Sequence, residues 1–217
     1  MSYSVFLDTS ALKFASAALP RMQPRSQSIR WGDKEFDVIV HDFVTINPNE
    51  RISNEQLKAE VNLLADLANL GKDGTVDFVI QVETELESWG LPKMDSETGI
   101  FFGAPITRID APIEYGRTMF AAGSNSRDMQ YAFLAGLDHP RFREIQKITG
   151  AYQGKNPPNR NQLLDAWHLW CAEGHGCNFF LSLDQKLGDA ISRSKHPLSV
   201  EFVLPSELIG RVCSDSE

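Results

Sequence analysis

The order of apolar and helical segments predicts an α/β protein, a three-layer α/β/α arrangement around a central, mostly parallel sheet of about five strands, with one inserted β-hairpin. Two observations carry that expectation. Short apolar runs, YSVFL at 3–7, VDFVI at 76–80, CNFFLSL at 177–183 and VEFVL at 200–204, read as buried strands, and helical patterns follow the first three. Strands that alternate with helices favour a parallel sheet covered by helices. The chain of 217 residues, 42% hydrophobic and 23% charged, is long enough to bury a sizeable core. One domain over 1–217 is expected, with insertions at about 28–44 and 90–160.

The first run ends at Asp8-Thr9-Ser10, three good N-cap residues, before the helical pattern ALKFASAAL up to Pro20. From Ser28 to Val44, β-branched and aromatic residues flank a Gly-Asp turn signal and predict the hairpin. Leu57, Val61, Leu64, Leu67 and Leu70 recur at helical spacing over 54–70, and Gly71-Lys72-Asp73-Gly74 stops the pattern. VDFVI then leads into VETELESW, a helix whose apolar stripe is Val82, Leu86 and Trp89.

The segment 90–125 carries Pro92, Pro105 and Pro112, with weak strand character in GIFF and PITRI, and predicts no firm element. Helices are expected at 128–137 and 142–148. The pair Pro157-Pro158 breaks the chain before a helix over 161–173. A strand, a helix at 185–192 and a last strand closed by PSEL complete the order. Ligands of such open sheets sit beyond the C-terminal ends of the strands.

MSYSVFLDTS has no basic stretch leading into a long apolar run, and no run of about 18 apolar residues occurs. A soluble, unexported protein is expected. Three cysteines, Cys171, Cys177 and Cys213, leave an odd thiol and fit a reducing cytoplasm. A net charge of -8 argues against tight sequence-independent nucleic-acid binding. The charge is uneven: eight acids lie between Asp77 and Glu114, whereas Arg141, Arg143, Lys147, Lys155 and Arg160 face only Glu144 in their own stretch. Such a distribution suits an acidic metal site beside a basic strip, and equally two solvated faces.

Four acids draw the argument. Asp8 and Asp184 each follow a strand and precede a helix, so each is a site candidate or a helix cap. Asp165 lies on QLLDAWHLWCAE, a helix apolar nearly all round, where a carboxylate needs a partner charge, a metal ion or a wet cleft. Glu83, Glu85 and Glu87 alternate and cannot all face inward. Glu85, at the margin of the apolar stripe, is favoured slightly over Glu87, and Glu83 is read as solvated.

VFLDTSAL, VETELESW, NQLLDAWHLWCAEGHGCNFFLSLDQKL and VLPSEL, in that order, resemble the PIN-domain family. Its pattern is a strand ending in Asp-Thr/Ser, a helical Glu followed by Leu, a helix with an inward Asp, and a strand closing in Thr/Ser-x-Asp. The resemblance covers about half the chain. It implies a PIN-like fold and Mg²⁺- or Mn²⁺-dependent endonucleolytic cleavage of RNA, often as the toxin of a toxin–antitoxin pair. By that resemblance Asp8, Glu85, Asp165 and Asp184 form the catalytic set and Asp8, Asp165 and Asp184 hold metal. Ser182 matches the family's small hydroxyl, placed to hold a water or a neighbouring carboxylate. The family's small members lack the hairpin and the long 90–160 segment.

Carboxylates crowded in a cleft repel one another unless a hard cation or a raised pKa intervenes, and Mg²⁺ and Mn²⁺ prefer oxygen ligands. Arg141, Arg143, Lys147, Lys155 and Arg160 are the candidates for tracking an RNA backbone. An antitoxin, another protein partner or a second copy of the chain are the partners considered. Cys171, His175 and Cys177 offer too few ligands for a zinc site. His168, among Trp167, Leu169 and Trp170, reads as a core histidine rather than a base. No nucleophile elbow, P-loop or GxGxxG occurs. The rival expectation is a non-catalytic PIN-like interaction module whose acids serve salt bridges.

Overall fold

Strand β1 (Tyr3–Leu7) runs up the middle of a five-stranded sheet, paired in parallel with β4 (Val76–Gln81) on one side and β6 (Phe179–Leu181) on the other. The edges are β5 (Ile106–Ile109) beside β4 and β7 (Glu201–Val203) beside β6, both parallel, so the order is β5-β4-β1-β6-β7. The chain moves outward on one side of β1 and later returns to build the other. The order therefore reverses at β1, and the crevice of such a sheet opens beyond the C-terminal ends at that point. A computed structural model describes residues 2–15, 19–46, 52–88, 99–116, 126–152 and 159–214.

Alternation along the strands sends side chains to two cores. Phe6, Val79 and Phe180 meet Phe142, Ile145, Leu163 and Trp167 from helices α6 (Pro140–Thr149) and α7 (Arg160–His175). Val5, Leu7, Phe78 and Leu181 meet Leu12, Leu64, Leu67 and Leu208 from α1 (Thr9–Ala15), α3 (Leu64–Lys72) and α9 (Pro205–Ser214). A parallel sheet with helices on both faces is compatible with the three-layer expectation. None of the described helices is long and apolar enough to cross a membrane.

Helix α7 is apolar around most of its circumference because it is buried on most sides, with Trp167, Leu169, Cys171 and Ala172 all inaccessible to solvent. Gly71, at the end of α3, lets the helix settle onto the sheet: a Cβ there would lie 2.6 Å from Phe78 Cε2. The remaining helices are α2 (Glu55–Asn62), α4 (Val82–Ser88), α5 (Ser126–Gly136) and α8 (Gln185–Arg193).

Several elements depart from expectation. The helix expected up to Pro20 is described over Thr9–Ala15 with 16–18 outside the described residues, Leu19 and Pro20 belong to a strand, and the hairpin is longer than 28–44: β2 (Leu19–Trp31) and β3 (Lys34–Ile46) pair from Leu19↔Ile46 to Trp31↔Lys34. Its tip is Gly32-Asp33, with Gly32 at φ 62. Pro20, expected to end the helix, lies inside β2, which a two-stranded ribbon tolerates because both strands are edges. The helix over 54–70 is two helices broken at Leu63. ITRI is a true strand, whereas GIFF is a turn region. PSEL opens helix α9 rather than closing a strand. Trp89, Lys155, Pro157-Pro158 and much of the 90–125 segment lie outside the described residues.

Candidate functional site

Asp8 stands at the C-terminal end of β1, 5% exposed, and every direction of its carboxylate has a donor. Oδ2 accepts from Ser10 Oγ at 2.7 Å, Ser182 Oγ at 2.8 Å and the Ser10 amide at 3.3 Å. Each hydroxyl in turn accepts a backbone amide, Ser10 from Leu183 at 2.9 Å and Ser182 from Asp184 at 3.1 Å. Asp8 thus ties the end of β1 to the turn after β6. Ser182, expected to support either a water or a carboxylate, here supports a carboxylate.

The other carboxylate oxygen faces His168: Oδ1 lies 3.3 Å from Nδ1. His168 is 1% exposed, and its Nε2 is buried with no hydrogen-bond partner. Burial opposes the charged imidazole, but the Asp8 hydrogen bond and the charges of Glu87, Asp8 and Asp165 raise its pKa to about 9. Burial likewise works to raise the Asp8 carboxyl, yet the hydrogen bond and charge of His168, with the two serine hydroxyls, hold it below the ordinary carboxylate range. The expectation of a satisfied core histidine captures the burial of His168 but not its charge partners.

Asp165 lies three residues before His168 on α7 and therefore on the same helix face. Among the described residues no hydrogen-bond donor or cation pairs with its carboxylate. Burial pushes its pKa up to about 8, with Asp8, Asp184 and Glu87 adding repulsion and His168 working against them. The salt-bridge alternative for Asp165 is therefore not what these residues show. When ionised, Asp165 stands near three like charges, Asp8, Asp184 and Glu87, which His168 alone among the neighbouring groups offsets.

The glutamates of α4 settle differently from the expected register. Glu85 forms an ion pair with Arg108 at the surface. Glu87 faces the Asp8 end of the sheet instead, accepting from Thr9 Oγ1 and placing Oε2 4.0 Å from His168 Nε2. Glu83, read as solvated, is 0% exposed, with Gln130 Nε2 2.7 Å and the Tyr115 hydroxyl 3.3 Å from its carboxylate. Val82 and Leu86 are only partly buried. A helix turns about 100° per residue, so the inward face shared by Glu83 and Glu87 turns Glu85 away.

Asp184 is exposed and caps α8 through Lys186 N at 2.9 Å and Leu187 N at 3.3 Å. Its charge still reaches Asp165. The bases divide into two groups. Arg141 is bound to Glu173, Glu144 and the Pro197 carbonyl, and Arg143 pairs with Asp138, in the first turn of α6. Glu173 lies eight residues beyond Asp165, about 12 Å along the helix toward the opposite edge of the sheet. Neither arginine reaches the carboxylates. Arg160, in the first turn of α7, pairs with Asp128 at 3.4 Å, and Lys147 lies over the Tyr152 ring.

Asp8, Asp165, Glu87 and His168 thus come together from three elements at the reversal point of the sheet, with Asp184 at the rim. Glu87 is the acid ranked just behind Glu85 in the sequence, and His168 the residue read there as a core histidine. The available signal was Asp165-x-x-His168, two polar groups sharing one face of an apolar helix. The donor chemistry, oxygen-rich with one carboxylate that no described residue hydrogen-bonds or ion-pairs, fits a divalent cation. Among the described residues no three acidic, histidine or cysteine side chains are already drawn around one point. Metal capture would therefore require side-chain rotation. Comparison of the chain with protein-family models, curated proteins and solved structures finds no match.

Proposed function

We propose that the protein is a PIN-like, Mg²⁺- or Mn²⁺-dependent nuclease that cleaves RNA internally. The supporting observation is the carboxylate of Asp165, without a hydrogen-bond donor or ion-pair partner among the described residues, beside Asp8 and Glu87 at the C-terminal edge of the sheet. A divalent ion there supplies Lewis acidity to the phosphoryl oxygens and lowers the pKa of a water for in-line attack. Asp165 offers the least encumbered carboxylate to the ion. Glu87 closes the site from α4, and Asp184 adds negative charge at the rim. Asp8, held by four donors, keeps β1, β6 and α7 in register around it. Lys147, in the last turn of α6, and Arg160, in the first turn of α7, would meet the RNA backbone once their present partners yield.

Single-stranded RNA incubated with the purified chain and Mn²⁺ or Mg²⁺ tests the reading. Cleavage that disappears in Asp165→Asn, with the fold intact by circular dichroism, supports it. Asp8→Asn is the less clean substitution, because it also breaks the pair with His168.

The alternative is a non-catalytic interaction module, and the hairpin favours it. Among the described residues its strands pair only with each other, and none of its residues between Met22 and Asp42 is buried, with Trp31 (82% exposed) and Ile39 (71% exposed) in solvent. Absence of both cleavage and Mn²⁺ binding in the wild-type chain selects this reading.

A further inference from the structure

The unsatisfied atom nearest the acids is a nitrogen, and that bears on which cation the site selects. We infer that His168 Nε2 is itself a metal ligand, so that the site takes a transition-type divalent cation of the Mn²⁺ or Fe²⁺ class in preference to Mg²⁺. The inference rests on the metal-dependent reading above and narrows its cofactor.

His168 is buried, and its two ring nitrogens are in different situations. Nδ1 faces a carboxylate, which only accepts, so the proton shared with Asp8 sits on Nδ1. A cation at Nε2 would displace the second ring proton and take the lone pair, as metal binding to imidazole releases a proton. Nε2 has no partner, although a buried polar atom left unmade is costly. Carboxylate–imidazole–metal relays have this arrangement, the outer carboxylate fixing the tautomer and aim of the ring.

The candidate ligands lie within reach of one ion once their side chains rotate toward it. Glu87 Oε2 is 4.0 Å from Nε2, and two ligand atoms each about 2.1 Å from one ion lie at most about 4.2 Å apart. Asp165, three residues before His168, extends from the same face of α7. The ligand set is then Asp165, His168 and Glu87, and Asp8 becomes a positioning residue acting through the imidazole. An imidazole ligand favours later first-row ions, whereas Mg²⁺ prefers an all-oxygen shell with several waters.

Pulsed electron paramagnetic resonance on the Mn²⁺-loaded full chain reads the ligand directly. Wild-type protein is expected to show ¹⁴N coupling from a coordinated imidazole, absent in His168→Gln. Equilibrium dialysis is expected to show Mn²⁺ affinity at least about tenfold weaker in that variant, with Mg²⁺ affinity changed less. Bound Mn²⁺ with no ¹⁴N coupling in the wild-type chain overturns the inference and leaves the carboxylate-metal reading standing. Failure of the wild-type chain to bind Mn²⁺ sinks both. The wild-type spectrum decides the question even if His168→Gln does not fold.

Discussion

Asp8 Oδ1 and His168 Nδ1 lie 3.3 Å apart across the end of β1, joining residues 160 positions apart in the chain. The pair is a structural clamp and the wall of the candidate site at once. Removing one member of a buried, hydrogen-bonded pair leaves the other exposed to the low-dielectric interior. Asp8→Ala is accordingly expected to lose about 3–5 kcal/mol in urea unfolding, since it also removes the acceptor shared by the Ser10 and Ser182 hydroxyls. A loss within experimental error of zero contradicts the clamp.

Asp165→Asn should behave in the opposite way. Burial, with the charges of Asp8, Asp184 and Glu87, disfavours the ionised carboxyl in the fold, and an isosteric amide removes that cost. Metal-free Asp165→Asn is expected to be more stable than wild type by roughly 1–3 kcal/mol at neutral pH, while binding Mn²⁺ less tightly. Stability gained together with affinity lost marks a functional residue rather than a structural one. Parallel thermal melts with and without Mn²⁺ measure both.

The stability of the metal-free protein should fall as pH rises from about 4 to about 9. Asp165, raised to about 8 in the folded state, binds its proton more tightly there than in the unfolded chain. Folding therefore becomes less favourable as pH climbs through that range. His168, raised to about 9, contributes stability that is complete below its ordinary pKa near 6.5 and is lost as pH passes the folded value. Asp8 has the reverse sign: its depressed pKa gives stability above the ordinary carboxylate range that disappears in strong acid. Chemical unfolding across pH 4–9 reads the slope, and saturating Mn²⁺ should flatten it.

Gly71→Ala tests the seating of α3 on the sheet. The added Cβ falls 2.6 Å from a fully packed Phe78 ring, and overpacking of this kind costs about 1–3 kcal/mol. A variant as stable as wild type would show that the helix can shift away.

Replacing residues 19–46 with a short flexible linker should leave the body folded, because the ribbon pairs with no strand of the main sheet. The expected result is a melting temperature within a few degrees of wild type, unless the ribbon is held by a partner. Far-UV circular dichroism and thermal melts measure it, and wholesale unfolding would show that the ribbon supports the core.

The sequence by itself determined the α/β order and the positions of Asp8 and Asp184 at strand ends, because apolar run length and helical periodicity are local signals. It also determined that Asp165 needed an explanation, since a carboxylate on an apolar helix is anomalous wherever that helix lies. Tertiary structure decided the rest. Docking of α4 turned Glu83 and Glu87 inward and Glu85 toward Arg108, a choice made by rotation about the helix axis. Arg141 found Glu173 across 32 positions of sequence, so a stretch that reads as basic is largely neutralised. The partners of His168 come from α4, β1 and α7, and no window of sequence contains them. A charge acquires its meaning from what stands opposite it in space, and only the folded chain supplies that.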